Sequence, residues 1–439
     1  MIRRRTLLGT AAILAAPALV SHTGAQSAFD WTRFKGQKIN VSYPKFPRGD
    51  VWQAHEKEFQ QLTGITVSSE QIPEQQQRVK MALELASGNP SFDAVYVALH
   101  VQKRLIEKGR WMADLRPMLA DPTLTSPDFD FADFSAASVK ASSGSDGKLN
   151  VIPMNQEQSI LFYNKQMFAE AGLEVPRTLD ALLSSARKLT SPSKGIYGFV
   201  GRGLKNANVV LYDNFLLGWD QETISADGTK LLTDTPAAIE AGKYFQTLMR
   251  ETAPPGVIQF NWYEAQTSFM QGAAATWWDS IGSSAPVIDP TKSRIVGKAG
   301  FAPVPAGPKG AWSCTFMEGI GIPAAAKNKG PAWLYCQWAA GKMMMNEIFR
   351  LGAGTPPRNS PYRNADIRKG SAFPAEWFDT AVESLRIARS SLPEIVAVTE
   401  FRDTLGIALS NIIGGADVAT ELHAATAAFA PVLAKELQS

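Results

Sequence analysis

Secondary-structure signals alternate along the first hundred residues of the chain. Short runs rich in β-branched and aromatic residues predict strands, and the longer segments between them predict helices. The predicted strands cover residues 39–43, 65–69 and 93–98, and the predicted helices cover residues 51–63 and 75–87. This alternation indicates parallel strands covered by helices, so the sequence predicts an α/β fold.

A further α/β unit is predicted within residues 149–190. Residues 160–163, Ile-Leu-Phe-Tyr, predict a buried strand that runs into two short helices. Asn164 can cap the first helix, and Gly172 can end it in the left-handed conformation. Thr178 can cap the second helix, whose leucines fall on one face. This pattern by itself indicates no function.

The same segment carries a resemblance to a known family. Residues 149–190 resemble the lobe-crossing segment of the extracellular solute-binding proteins that serve ABC importers of sugars, the family of maltose-binding protein. Residues 62–67 and 88–96 are similar to first-lobe strands of that family. Residues 318–323 and 352–361 are similar to its two later crossings between lobes. The order of these motifs extends the resemblance over nearly all of the mature chain.

The resemblance implies the type II periplasmic-binding-protein fold. In this fold, two α/β lobes are joined by a multi-strand hinge, and a ligand cleft lies between them. We expect the first lobe to comprise residues 28–156 and 318–356. The second lobe is expected to comprise residues 157–317 and 357–439.

The N-terminus predicts an export signal over residues 1–27. Three arginines at residues 3–5 precede an uncharged apolar run over residues 7–20, and small residues follow it. Paired arginines are typical of twin-arginine signals, but the usual phenylalanine is missing, so the general secretory route stays open. The run is too short to span a bilayer. We therefore expect a periplasmic protein, cleaved after Ala25 or Ser27.

The charge balance indicates no nucleic-acid partner. The full chain has a formal charge of +3, which comes from the three arginines of the predicted signal. Without them basic and acidic residues are equal in number, so the sequence predicts no basic patch for nucleic acid. With 45% hydrophobic and 19% charged residues, the chain can bury large cores rather than remain disordered.

Recognisable catalytic and cofactor motifs are missing from the sequence. The three histidines after the signal, His55, His100 and His423, do not have metal-ligand spacing with one another or with cysteine. There is no nucleophile elbow and no phosphate-binding loop of the Walker type. We therefore expect no catalytic residue, no metal and no cofactor. Paired carboxylates of a glycosidase stay open, since they need to meet only in space.

Two cysteines, Cys314 and Cys336, enter an oxidising compartment if the chain is exported. Their even number and their location permit a disulfide. Each lies in an apolar or aromatic run that predicts core, so the interpretation we favour is two buried thiols.

The motif Trp277-Trp278-Asp279 is a candidate sugar site. Sugar rings present apolar faces edged by hydroxyls, which flat aromatics and carboxylates bind together. The motif also lies where the resemblance places a ligand-facing turn. Alternation along a strand nearly guarantees that one of the two tryptophans belongs to the core instead.

The resemblance implies further ligand-facing positions near the ends of the predicted strands and at the lobe crossings. These positions are Tyr43, Arg48, His100, Glu157, Trp312, Glu318 and Arg358. The structural alternatives are packing for Tyr43, a solvated charge in the loop over residues 44–50 for Arg48, and a helix start for His100. We interpret Trp219 and Arg202 as structural.

Two hypotheses of function follow from these observations. The resemblance implies a monomeric periplasmic binding protein that closes over a sugar or polyol and delivers it to an ABC transporter permease. The alternative is a secreted carbohydrate-active enzyme that uses Glu157 and Asp279 as its two carboxylates. An anionic ligand would require several convergent cations, and the sequence places only Arg48, Arg202 and Arg358.

Overall fold

The computed structural model describes residues 29–390 and 392–438. The predicted export signal, residues 1–27, lies outside the described residues. The strands are β1 (Lys38–Pro44), β2 (Thr66–Ile72), β3 (Ala94–Ala98), β4 (Ile152–Asn164), β5 (Tyr197–Val200), β6 (Ala274–Ser280), β7 (Ala299–Ala302), β8 (Ser313–Gly321) and β9 (Ala388–Ser390). In this part of the chain, no helix is both long enough and apolar enough to cross a membrane.

Helices cover both halves of the sheet. They are α1 (Pro47–Thr63), α2 (Glu74–Ser87), α3 (Leu99–Gly109), α4 (Arg116–Ala120), α5 (Ala136–Ser142), α6 (Lys165–Glu170), α7 (Leu179–Leu189), α8 (Asn208–Leu217), α9 (Pro236–Thr252), α10 (Trp262–Met270), α11 (Lys329–Ala339), α12 (Lys342–Arg350), α13 (Ser360–Arg363), α14 (Ala365–Lys369), α15 (Ala375–Arg386), α16 (Val398–Gly414) and α17 (Val418–Leu437). The mixed α/β content agrees with the predicted fold class.

The strands form one continuous sheet in the order β2-β1-β3-β8-β4-β6-β5, with β7 paired to β4 and β9 paired to β8. Strands β1, β2 and β3 are parallel, as the alternating pattern predicts. The first part of β4 pairs with β8, and residues 159–163 of β4 pair with β6. The long strands β4 and β8 therefore connect a first half of the sheet (β1 to β3) with a second half (β5 to β7).

The predicted helix ends agree with the structure, with one exception that matters for the site. The side chains of Asn164 and Thr178 accept hydrogen bonds from the first turns of α6 and α7. Helix α1, however, begins at Pro47 instead of residue 51, because proline fits the first turn of a helix without losing a hydrogen bond. Arg48 therefore lies in a helix and not in the predicted loop.

Hydrogen bonds tie the predicted third crossing to the first half of the molecule. Ser135 donates its N–H to the Pro357 carbonyl over 2.8 Å, and Asn359 donates its N–H to the Asp133 carbonyl over 2.9 Å. The lobe boundary at residue 356 stays a prediction.

The two cysteines are buried in different parts of the molecule. Cys314 packs in the core formed by α8, α9 and α16, and Cys336 packs in the core around Trp52 and Trp333. They form no disulfide. Burial raises the pKa of the Cys336 thiol, which keeps it protonated.

Candidate functional site

A cavity lies between the two halves of the sheet, at the point where β4 and β8 connect them. Its volume is about 80 Å³. Ionisable side chains dominate its lining: Lys45, Arg48, Glu74, Arg78, His100, Glu157, Arg202, Glu318 and Arg402. Aromatic rings of Phe46, Phe316 and Trp262 supply smaller apolar surfaces. A concave site with convergent polar groups is the usual place for a small ligand.

Arg48 lies at the centre of the charged group. It enters from the first turn of α1, where it is 5% exposed, and its guanidinium carbon lies 4.0 Å from the centre of the Phe46 ring. Its guanidinium pairs with Glu157 through Nη1 and with Glu318 through Nη2. Its Nε donates to the Tyr96 hydroxyl over 2.9 Å. The guanidinium fork therefore joins α1 to both long strands.

Glu157 and Glu318 face the same side of the sheet. In the pairing of β4 with β8, Asn155 lies opposite Glu318, and Glu157 lies two residues further along β4. The Asn155 amide donates to Glu318 over 2.8 Å, and the Tyr96 hydroxyl donates to the same oxygen over 2.7 Å. Ser280 at the end of β6 donates its hydroxyl to Glu157. The carboxylates are thus bonded from both halves of the sheet.

These contacts set the ionisation of the group. Burial raises the pKa of Glu157, and the positive charge of Arg48 opposes that effect. Burial alone would lower the pKa of Arg48, but the charges of Glu157 and Glu318 raise it above its usual value. Arg48 therefore stays charged, and the two carboxylates share one buried cation.

Gly282 lies directly against Glu157. A Cβ at this position would overlap the Glu157 carboxylate. We expect Gly282→Ala to lower the free energy of unfolding by about 1–3 kcal/mol, because the carboxylate must move away from Arg48 and Ser280. Gly414→Ala is the matched control, since a Cβ there meets nothing within 4 Å. Urea unfolding of both variants is the measurement, and equal stability would contradict the contact.

A second ion pair lies beside the first. Arg202 follows β5 and binds Asp279 of β6 through two bonds, 2.9 Å from Nε and 2.5 Å from Nη2. Burial alone would lower the pKa of Arg202, but the bound Asp279 raises it. Asp279 also accepts the Ser280 N–H over 2.7 Å. The pair holds the arginine so that its remaining N–H groups face the cavity.

The far end of the cavity is rich in arginine. Arg78 pairs with Glu74 one turn earlier on α2. Arg402 of α16 is 5% exposed and donates to the Asn206 carbonyl over 2.9 Å from Nη2. Burial and the nearby charge of Arg78 lower the pKa of His100 to about 3, so this histidine is neutral at physiological pH.

The arrangement suits a ligand with many hydroxyl groups. Carboxylates accept hydrogen bonds and guanidinium groups donate them, and each hydroxyl can do both. The described part of the chain contains no cluster of three His, Cys, Asp or Glu side chains that could hold a metal ion. The carboxylates and guanidinium groups of the cavity can therefore exchange hydrogen bonds with the hydroxyl groups of a ligand.

Four of the residues predicted from the sequence line this cavity: Arg48, His100, Glu157 and Glu318. Asp279 contacts it through Arg202, which the sequence analysis interpreted as structural. Trp219 packs against Tyr244 and does not line the cavity.

Neither predicted tryptophan reaches the cavity. Trp277 is fully buried and stacks on Phe162 with ring centres 4.3 Å apart. Trp278 is 2% exposed and meets Phe215 edge to face at 5.1 Å. Alternation along β6 directs the two rings to opposite faces of the sheet, but helices cover both faces at this point, so both rings belong to cores.

Three other predicted residues lie away from the cavity. Tyr43 is buried beside Trp52, with its hydroxyl 3.1 Å from Glu56. Arg358 donates to the Phe129 carbonyl over 2.7 Å and so ties down the third crossing. Trp312 lies under Arg389, whose guanidinium carbon is 5.0 Å from the ring. Protein partners occupy the polar atoms of Tyr43 and Arg358, whereas the indole N–H of Trp312 is buried without a hydrogen-bond partner.

Several cavity residues were missed in the sequence analysis. Ser280 is the last residue of β6, and Glu74 lies two residues past the end of β2. Polar residues near strand ends are a signal that could have found both. Arg402 lies in α16, more than a hundred residues after Ser280 in the chain, so no local signal could have found it. Trp262 is the first residue of α10, and no motif of the sequence analysis included it.

Comparison with known proteins extends these observations. The family model for bacterial extracellular solute-binding proteins matches residues 43–345. The erythritol/L-threitol-binding protein of Mycolicibacterium smegmatis is 28% identical over 90% of this chain and 86% of its own length. A probable amino-acid ABC transporter periplasmic-binding protein of Sinorhizobium fredii is 24% identical over 84% of both chains.

A solved structure gives the same result for the fold. The ABC transporter solute-binding protein of Agrobacterium radiobacter K84, in complex with ribitol, superposes with a TM-score of 0.83. It is 25% identical and covers 91% of this chain and 99% of its own. The fold is therefore the type II periplasmic-binding-protein fold, with two α/β lobes joined by β4, β8 and a third crossing. The chain belongs to the bacterial extracellular solute-binding proteins.

Proposed function

We propose that this protein binds a small neutral polyol or sugar in the cavity between its lobes and delivers it to the permease of an ABC importer. The observation that carries the proposal is the charge balance of the cavity. Four guanidinium groups (Arg48, Arg78, Arg202 and Arg402) meet four carboxylates (Glu74, Glu157, Asp279 and Glu318) in and beside the cavity. The exposed Lys45 ammonium is paired with Asp50. Such a site offers many donors and acceptors but no net charge, which favours a neutral, hydroxyl-rich ligand.

The similar proteins support this class of ligand. The Mycolicibacterium relative is named for two four-carbon polyols, and the Agrobacterium structure holds a five-carbon polyol. The small volume of the cavity is in keeping with an acyclic ligand. No tryptophan pair lies in the cavity as a platform for a sugar ring.

The geometry does not favour the enzyme alternative. A glycosidase needs one carboxyl group that gives up a proton and a second that attacks or activates water. Glu157 is bonded to Arg48 and Ser280, and Asp279 is bonded to Arg202 through both oxygens. Each of the four carboxylate oxygens already accepts a hydrogen bond from another side chain, which leaves neither carboxylate free to attack a sugar or to activate water.

The function is tested by a thermal-shift screen of the mature protein. Erythritol, ribitol, D-mannitol and simple sugars are compared with a set of amino acids. A ligand at 100 times its dissociation constant stabilises the folded state by about 2.7 kcal/mol. Stabilisation by a polyol or sugar is expected. Stabilisation by amino acids alone would contradict the proposal.

Glu157 should contribute directly to affinity. We expect Glu157→Gln to weaken binding of the polyol found in the screen by about tenfold or more, because a charged acceptor contributes about 1.5–3 kcal/mol. Calorimetry gives the affinity, and Glu170→Gln on the exposed face of α6 is the control. Release of sugar from a glycoside by the wild type, lost in Glu157→Gln, would support the enzyme alternative instead.

The remaining expectations complete the proposal. Residues 1–27 direct export by the twin-arginine or the general secretory route. The mature protein then acts as a monomer in the periplasm. Size-exclusion chromatography with light scattering tests the oligomeric state, and a dimer at micromolar concentration would contradict it.

A further inference from the structure

The cavity has two ends of opposite charge. At the first end, Glu157 and Glu318 share Arg48 as their cation. At the second end, Arg78, Arg202 and Arg402 face the cavity together. The second end contains two carboxylates, Glu74 paired with Arg78 and Asp279 paired with Arg202. The first end therefore has one negative charge in excess, and the second end has one positive charge in excess.

Arg402 is the source of the positive excess. Its Nε and Nη2 atoms donate to the carbonyl of Asn206 over 3.2 Å and 2.9 Å. Within residues 29–390 and 392–438, no carboxylate forms an ion pair with it. Burial and the charge of Arg78 lower its pKa to about 9, so it remains charged at neutral pH. An anionic group on a ligand would find an unpaired cation here.

Glu74 reduces the excess positive charge of this end of the cavity, and it comes from the opposite lobe to Arg202 and Arg402. It is the first residue of α2, which connects β2 and β3 in the first half of the sheet, whereas Arg202 and Arg402 belong to the second half. Burial opposes its ionisation, but the charges of Arg78, Arg202 and Arg402 outweigh burial and lower its pKa to about 2. Glu74 is therefore ionised at any physiological pH.

We propose that Glu74 determines ligand specificity by keeping the arginine-rich end of the cavity from binding carboxylate or phosphate groups. The proposal rests on the proposed function and names its selectivity: the site takes the neutral polyol and rejects the acid with the same carbon skeleton. With Glu74 present, a ligand anion at this end would meet one excess positive charge but would also lie near the Glu74 carboxylate. Like charges held close together in a buried site repel each other, so Glu74 opposes binding of the anion.

Removal of the Glu74 charge should reverse this selectivity. In Glu74→Gln the second end has two positive charges in excess, and a ligand carboxylate can neutralise one of them. The test compares pairs that differ in one terminal group: erythritol with erythronate, ribitol with ribonate, and D-mannitol with D-mannonate. Affinities are measured by calorimetry at one salt concentration, since charge effects depend on ionic strength.

The expected results are specific. The wild type binds the polyol of a pair at least tenfold more tightly than the acid. Glu74→Gln gains at least tenfold in affinity for the acid, and its affinity for the polyol changes less. The double variant Glu74→Gln/Arg402→Gln restores the balance and loses the gain. Glu84→Gln, which removes the same charge from α2 outside the cavity, behaves as the wild type.

Other outcomes would overturn the inference. Acid binding by the wild type that equals or exceeds polyol binding would contradict it, as would a Glu74→Gln variant with unchanged affinity for the acids. Glu74→Ala repeats the measurement with a second side chain, and urea unfolding verifies that both variants fold. If the wild type binds none of the polyols, sugars or acids, the proposed function fails and the inference fails with it. If it binds a polyol but Glu74→Gln gains nothing, only the role of Glu74 fails.

Discussion

Arg48→Met should lower the free energy of unfolding by about 3–5 kcal/mol, the usual cost of removing one partner from a buried ion pair. The substitution keeps much of the apolar volume but leaves Glu157 and Glu318 without their cation. Urea unfolding at pH 7 is the measurement. Arg386→Met is the control, because Arg386 pairs with Glu383 at the surface and such pairs contribute about 0–1 kcal/mol.

The loss in Arg48→Met should become smaller as the pH falls. Burial raises the pKa of Glu157 and Arg48 opposes that effect, so without Arg48 the folded-state pKa of Glu157 lies above its unfolded-state value. Groups with a raised folded-state pKa take up protons more readily in the folded state, so acidification stabilises the variant relative to the wild type. The difference in stability between the two proteins should therefore narrow from pH 7 to about pH 5. A difference that is constant over this range would show that packing, not charge, causes the loss.

Trp277→Ala and Trp278→Ala should each lower the free energy of unfolding by about 3–5 kcal/mol, as truncation of a buried tryptophan does. Trp277 stacks on Phe162 in one core, and Trp278 packs on Phe215 in another. Neither ring lines the cavity, so the affinity of the protein that remains folded should be unchanged. Urea unfolding and calorimetry on each variant separate the two effects.

Trp262→Ala is the matched control for the tryptophan variants. Trp262 is half-buried at the start of α10 and lines the cavity. Its truncation should weaken ligand binding while it changes stability much less than the loss of Trp277 or Trp278. A large loss of affinity in Trp277→Ala or Trp278→Ala, without a loss of stability, would show that the substituted tryptophan contacts the ligand and does not belong to the core.

The local structure of this chain could be predicted because local chemistry determines it. Asn164 and Thr178 cap helices with their own side chains, and Gly172 has a φ of 63°, which glycine adopts without strain. The same kind of signal was misleading at α1. A run of proline and polar residues resembled a loop, yet Pro47 begins a helix there and carries Arg48 into the cavity.

The binding site could be predicted only in part. Glu157 and Glu318 were found because the resemblance places lobe crossings at their positions, and β4 and β8 do connect the two halves of the sheet. The tryptophans could not be assigned from the sequence. A tryptophan in a core and a tryptophan under a sugar have the same local pattern, and only the helices packed on both faces of β6 distinguish them.

The sequence alone determined the α/β alternation, the family resemblance and the two carboxylates of the hinge strands, because each depends on the order of nearby residues. The tertiary structure decided which charges meet. Glu74 and Arg402 are separated by more than three hundred residues along the chain. They line one cavity only because the fold places the two lobes face to face. Selectivity for a ligand depends on this sum of charges across the cleft, and no single segment of the chain contains it.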